Sequence, residues 1–207
     1  MTSFFRTPGV RPDVPALEAA RARGAQITSE MDVFFSLCPC PITAITGSDG
    51  KTTTSTIIAE LLKAEGYEVF LGGNIGAPLL PRLDEMNQNS RVVVELSSFQ
   101  LMDMTHAPQV AVVTNVTPNH LDWHRGMGEY ESAKYNLLQR QTSDSIAVLN
   151  YDDMTTRAFG DRCPASVRYF SLGDSSAHYS FDGENICFDG KPILSVSRLR
   201  IPGRHNI

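Results

Sequence analysis

Thr46-Gly47-Ser48-Asp49-Gly50-Lys51-Thr52-Thr53 lies between a short apolar run, 42–46, and a segment of helical periodicity, 52–65. A strand, a glycine-rich turn, a lysine and a hydroxyl at the head of a helix together make a phosphate-binding loop. Gly47 and Gly50 let the backbone turn tightly and aim its N–H groups at phosphate oxygens. The following helix adds the positive end of its dipole. Lys51 is then the cation for the β- and γ-phosphates, and the Thr52 hydroxyl a ligand for Mg²⁺. Gly47, Ser48, Asp49, Gly50, Lys51, Thr52 and Thr53 form the candidate nucleotide-binding set. The common loop leaves about four residues between its first glycine and Gly-Lys. Here only Ser48 and Asp49 intervene, so this is a shortened form. The plain alternative is a strand-to-helix turn with an incidental lysine. The flanking strand and helix and the run Thr52-Thr53-Thr54 favour the phosphate loop.

Working outward, the helix shows apolar pairs Ile57/Leu61 and Ile58/Leu62 at helical spacing, and Gly66 stops it. Strands are expected over 68–71, 92–94, 110–114 and 145–149, with a helix over 128–141 between the last two. Val92-Val93-Val94 is a continuous apolar run, which suits a strand covered on both faces. Strands alternating with helices predict an α/β fold: a mostly parallel P-loop sheet with helices on both faces. Before it, 16–23 reads as a helix closed by Gly24, 25–28 as a short strand, and 29–35 as a second helix. After about residue 177, Asp182-Gly183 and Asp189-Gly190 are turn signals between short alternating runs. They predict a small antiparallel hairpin region near the C-terminus.

The 207 residues are 42% hydrophobic and 20% charged, ordinary for a globular chain able to bury a core without staples. A net charge of −5 with no basic run argues against nucleic-acid binding. No stretch approaches the ~20 apolar residues of a spanning helix, and the first residues lack the apolar core of a signal peptide. The expectation is a cytoplasmic protein that acts away from membranes. Of the four cysteines, Cys38-Pro39-Cys40 reads either as half a metal site or as two reduced thiols beside a buried strand. The second fits a chain too poor in cysteine for a disulfide scaffold.

Other residue types carry possible chemistry. Glu95 closes the strand 92–94, where a carboxylate points into the ligand crevice of such a sheet or simply into solvent. In the crevice it suits magnesium, which takes oxygen ligands. His120, in Thr117-Pro118-Asn119-His120-Leu121-Asp122, is a ligand, a base or a surface histidine. Lys134, on the helix with Tyr130 and Ala133, reads by itself as a solvated helix lysine. Gly72-Gly73-Asn74-Ile75-Gly76 is flexible and polar enough to approach a phosphate or a sugar.

Taken in order, GSDGKTTT (47–54), GGNIG (72–76), VVVELSSFQL (92–101), NVTPNHLDWH (115–124), YESAKYNL (130–137) and VLNYDD (148–153) resemble the Mur ligase family. Within it, ELSSFQL (95–101) looks like the D-glutamate-adding branch. The resemblance spans about residue 7 to the end of the chain. It implies residues 1–40 as the remnant of a UDP-binding domain and its linker, 41–207 as the central ATP-binding domain, and a C-terminal domain absent from the sequence.

The resemblance also implies roles. Lys51 and Thr52 would hold ATP phosphates and Mg²⁺; Glu95 would bind Mg²⁺; His120 would bind a second Mg²⁺ or the substrate. Lys134 would be a carbamylated lysine whose added carboxylate ligates metal, which makes Lys51, His120 and Lys134 the catalytic candidates. Asn74, Ser97 and Gln100 would face the substrate or ATP, and Asn206 the adenine. The implied activity is ADP-forming ligation of D-glutamate to UDP-N-acetylmuramoyl-L-alanine by a monomer, with ATP and Mg²⁺ as cofactors. Two rivals remain: a ligase of the folylpolyglutamate synthase type, and a nucleotide-binding fragment without catalysis.

Overall fold

The computed structural model describes residues 2–201 and 203. The chain opens with a small parallel β-α-β unit: β1 (Ser3–Phe5), α1 (Pro15–Ala22) and β2 (Gln26–Thr28), with Phe4 opposite Ile27. Pro15 starts α1, where its missing N–H is not needed. Helix α2 (Glu30–Leu37) follows, capped by the Ser29 hydroxyl on the Asp32 N–H. It runs two residues further than its sequence pattern suggests, to Leu37, and buries Phe34 and Phe35 in the main core.

Next come β3 (Ile42–Thr46), α3 (Lys51–Ala64), β4 (Val69–Gly73), β5 (Arg91–Glu95) and the one-turn helix α4 (Ser98–Leu101). Then follow β6 (Val110–Val113), α5 (Met127–Tyr135), β7 (Ile146–Asn150), α6 (Met154–Gly160) and β8 (Ser166–Ser171). The described chain finishes through β9 (Tyr179–Phe181), β10 (Asn185–Phe188) and β11 (Lys191–Ser195). Strands β3 to β11 form one sheet in the order β11-β10-β9-β8-β7-β6-β3-β5-β4. It is parallel from β4 across to β9 and antiparallel from β9 to β11. The expected hairpin region is therefore present, but it extends the main sheet instead of standing apart. Asp189 and Gly190, both at positive φ (46° and 74°), make the tight turn between β10 and β11.

Alternate residues of the central strands serve opposite faces. Ala44, Val92, Val94, Ala111, Val113, Ala147 and Leu149 pack with Phe34 of α2, Tyr130 of α5 and Phe159 of α6. Ile45, Val93 and Val112 pack with Ala59, Ile58 and Leu62 of α3 on the other face. Helix α5 ends earlier than its periodicity suggests. Beyond Tyr135 the backbone tightens into turns, and Asn136 donates from Nδ2 to the Leu101 and Met102 carbonyls at 2.9 Å each. Leu137 and Leu138 remain fully buried. Strands β1 and β8 and helix α6 have no counterpart in the sequence reading.

The N-terminal unit is fastened by a buried guanidinium. Arg6 Nε donates to Asp103 Oδ2 at 2.7 Å and its Nη2 to Asp103 Oδ1. The same side chain donates to the Val10 carbonyl at 2.7 Å and the Phe99 carbonyl at 3.0 Å. Removing one partner of a buried pair leaves the other charge uncompensated. Arg6→Ala should therefore lower stability by about 3 kcal/mol in urea unfolding. A loss under about 1 kcal/mol would show that this clamp does not hold the unit in place.

Candidate active site

Strand β3 is central, with β5 on one side and β6 on the other, so the chain reverses its winding around it. The C-terminal ends of such strands form the ligand crevice of open α/β sheets. Thr46 pairs with Val113 and Ile45 with Glu95 at this edge. The phosphate-loop residues, Glu95 and the loop after β6 are therefore brought together by the topology.

Gly47 leaves β3 where space for a side chain is missing. A Cβ there would stand 1.8 Å from Thr114 Oγ1. Gly50 occupies the left-handed region (φ 79°) as the N-cap of α3. Two amines converge on the loop. Lys51 Nζ donates to the carbonyls of Gly47 and Ser48, each at 3.0 Å. Lys134 Nζ donates to the same Gly47 carbonyl at 2.7 Å. Lys134 is only 1% exposed, which overturns its reading as a solvated helix lysine. Its amine also lies 4.6 Å from the centre of the Tyr130 ring. Burial, and then the nearby charge of Lys51, pull its pKa down from the usual lysine value to about 7.

The carboxylate of Glu95 is buried (1% exposed). It accepts from the Thr52 hydroxyl at 2.8 Å and from Asn74 Nδ2 at 2.9 Å. Asn74 is held in turn by its own N–H on the Glu95 carbonyl, 2.8 Å. Gly73 permits this approach, since a Cβ there would meet that carbonyl at 2.3 Å. The Thr52 and Glu95 oxygens suit magnesium, a hard cation with octahedral oxygen ligands at about 2.1 Å, whose adjacent ligands lie about 3 Å apart.

Other predicted residues have structural duties in this state. The Ser48 hydroxyl is buried, donating to the Thr117 carbonyl at 2.8 Å, receiving the Thr117 N–H at 2.9 Å and touching Tyr130 OH at 3.0 Å. The Asp49 N–H donates to Asn115 Oδ1 at 2.9 Å. Thr53 is exposed on α3. Ser97 and Gln100 form the capping box of α4: Gln100 N–H donates to Ser97 Oγ at 3.3 Å, and Ser97 N–H to Gln100 Oε1 at 2.9 Å. His120 is exposed at φ 54°, with its ring 5.0 Å from that of Phe99. No hydrogen bond joins the His120 ring to Glu95 or Lys134, and no cluster of three or more His, Cys, Asp or Glu side chains able to hold a metal occurs among the described residues. Asn206 lies outside the described residues. Cys38 and Cys40 are free thiols with Sγ atoms 3.7 Å apart, near the opposite end of β3.

Sequence reasoning missed Asn115, whose side chain brackets Asp49, and the partly buried ion pair that holds α5. Arg11 grips the Glu129 carboxylate with two bonds of 2.7 and 3.0 Å and lies over the Trp123 ring at 5.0 Å. No local pattern pairs residues this far apart in sequence; only the fold does.

The Mur ligase middle domain model matches residues 45–207 of the chain. The UDP-N-acetylmuramoylalanine–D-glutamate ligase of Acetivibrio thermocellus is 49% identical over 210 residues, covering 99% of this chain and 45% of that protein. The Clostridium kluyveri ligase of the same name is 44% identical over 205 residues, again covering 99% and 45%. The chain thus spans about 45% of the length of these relatives. Among solved structures, the UDP-N-acetylmuramate–alanine ligase of Thermotoga maritima aligns with 99% of this chain and 48% of its own, at TM-score 0.62 and 26% identity. A MurF ligase from the same organism, solved with ADP, covers 78% of this chain and 41% of its own at TM-score 0.61 and 22% identity, a likeness of fold alone. Matched by that family model over residues 45–207, most of its length, the chain belongs to the Mur ligase family.

Proposed function

We propose that the protein of which this chain forms the nucleotide-binding part is an ATP-dependent ligase that joins D-glutamate to UDP-N-acetylmuramoyl-L-alanine. The observation that carries the reading is the pair of amines, Lys51 and Lys134, on the one Gly47 carbonyl of the phosphate loop. The 49% and 44% identity to D-glutamate ligases supports the choice of amino acid. On this reading residues 1–40 are the end of a UDP-binding domain, 41–207 the ATP-binding domain, and a further domain supplies the amino acid. The reaction belongs to the cytoplasm and to a monomer.

The alanine carboxylate attacks the γ-phosphorus of ATP; the bond to the bridging oxygen breaks and ADP leaves. The glutamate amine then attacks the acyl carbon, loses a proton, and phosphate departs with the electron pair of the C–O bond. Covalent chemistry by the protein is not required, so its contribution is positioning and charge stabilisation. Lys51 swings from the Gly47 and Ser48 carbonyls to the β- and γ-phosphates, and the N–H groups at the head of α3 bind their oxygens. Thr52 and Glu95 would hold magnesium, which would supply charge neutralisation at the phosphates. Lys134, neutral for a substantial fraction of the time near pH 7, is poised to add carbon dioxide, since only the free amine is nucleophilic. The nitrogen attacks the carbon of carbon dioxide and loses a proton; the carbamate so formed, with His120, would complete the set of residues that hold the metal, and Asn74 orients Glu95. Ser97 and Gln100 hold the turn after Glu95 and would face the substrate or ATP, and Asn206 would contact the adenine.

Calorimetric titration of MgATP into the chain tests the reading. Lys51→Ala should weaken binding by at least about tenfold, the loss of a charge-assisted contact. Equal affinity of wild type and variant would remove the phosphate site. Glu95→Gln should abolish the magnesium dependence of binding while leaving weak metal-free binding intact.

Lys134 also predicts a pH dependence. Its folded pKa of about 7 lies below its ordinary value of 10.5. Between these values the unfolded chain binds the extra proton, so stability rises with pH across this window. Lys134→Met should remove this component. Urea unfolding at pH 7 and pH 9.5 should show wild type gaining on the variant by about 2–4 kcal/mol. Parallel behaviour of the two proteins would mean that Lys134 is already charged or accessible in the fold.

A further inference from the structure

One buried side chain near this site has no part in the proposed reaction. His124 has a fully buried ring, stacked on Phe99 at 5.5 Å and 9°, with the edges of Trp123 and Tyr130 against it. Its Nε2 lies 2.9 Å from Ser98 Oγ. Its Nδ1 has no hydrogen-bond partner among the described residues, but Glu129 Oε2 stands 3.5 Å away. That carboxylate is fixed from behind by Arg11 and by the Arg125 N–H at 2.7 Å. Arg11's hydrogen bonds hold its pKa down to about 2, so it is an anion under all ordinary conditions.

A neutral imidazole carries one N–H and one lone pair. Burial pushes the His124 pKa below the usual histidine value and so favours the neutral ring. With the proton on Nε2, the Nδ1 lone pair would face a carboxylate, two buried acceptors opposed with no donor between them. With the proton on Nδ1, an N–H faces Glu129 and Nε2 accepts the Ser98 hydroxyl. Only this second arrangement gives every atom a complementary neighbour.

We propose that His124, as its Nδ1–H tautomer, ties Glu129 on α5 to Ser98 on α4 and thereby positions the segments that carry Glu95, His120 and Lys134. Ser98 follows Glu95 by three residues, and Lys134 lies on the same helix as Glu129. The His120 loop is closed on the same residue, since the His124 N–H donates to the His120 carbonyl at 3.0 Å. His124 is a positioning residue: it acts through its neighbours. The tie stands on geometry alone; its importance for nucleotide binding rests on the function proposed above.

Long-range ¹H–¹⁵N correlation of the histidine rings in the 207-residue chain at pH 7.5 reads the tautomer directly, with His124→Asn identifying the signals. A protonated Nδ1 and an unprotonated Nε2 are expected; the opposite pattern, or a charged ring, overturns the tie. Two variants then separate positioning from packing. His124→Phe keeps the aromatic stack and loses both polar contacts, whereas His124→Asn keeps a donor where Nδ1 stands. MgATP affinity should fall about tenfold in the first and no more than about threefold in the second, the scale of one or two buried hydrogen bonds. Wild-type affinity in the Phe variant, or equal losses in both, overturns the positioning role. If Lys51→Ala binds MgATP as wild type does, the phosphate-site reading fails while the tautomer result still decides the tie.

Discussion

Lys51 and Lys134 both bind the carbonyl of Gly47, and much of the site follows from that arrangement. Two ammonium ions on one acceptor repel each other, and the more buried of them responds. Lys134, screened from water by Tyr130 and the loop, has the lowered pKa. Position 47 tolerates no side chain here, because Thr114 occupies the space a Cβ would need. Thr114 in turn donates from its hydroxyl to the Asp49 carbonyl at 2.6 Å. A phosphate loop, a neighbouring strand and a helix more than eighty residues away are thus joined through a few polar atoms.

The same wiring joins the loop to the segment after β6. Ser48 gives its hydroxyl to Thr117 and receives the Thr117 N–H in return. Asn115 brackets Asp49 from both sides, accepting its N–H and donating to its carbonyl at 3.2 Å. The chain that leads to His120 therefore starts from atoms of the phosphate loop. Hydrogen bonds of this kind cost heavily when half broken. The loop's backbone N–H groups and the His120 loop consequently hold a common frame before any ligand contributes to it.

Much of the framework was legible in the residues. The glycine-rich turn, Lys51 and Thr52 lie where a strand meets a helix, and Val92-Val93-Val94-Glu95 is indeed a buried central strand ending in a buried acid. What escaped had physical causes. Lys134 sits on a helix with almost no apolar stripe, so nothing local marks it as buried; the phosphate loop covers it from a distance. Strand β1 is three residues long and exposed along its length, too little for any alternation to register. Ser97-Ser98-Phe99-Gln100 carries the spacing of a capping box, a helix start that the sequence reading did not name. Arg6, Arg11 and His124 find their partners across the chain, and sequence order contains no trace of those pairings.

The distribution of charge around the loop has a further consequence. Glu95 is buried with two neutral donors on its carboxylate, Thr52 and Asn74, while the amines of Lys51 and Lys134 are bound to neutral carbonyls. Each of these groups is hydrogen-bonded, yet among the described residues none of the three has an opposite charge as its direct partner. Burying an ion without its counter-ion is expensive, and dipoles offset that cost only in part. Pairing Glu95 directly with a lysine would stabilise the fold, but it would neutralise the field the site presents. On the function proposed above, a polyanion carrying a divalent cation would satisfy both halves at once, its phosphates toward the lysines and its metal toward Thr52 and Glu95. The stability given up in keeping the charges apart would then be recovered on binding such a ligand, and that difference would be available for affinity.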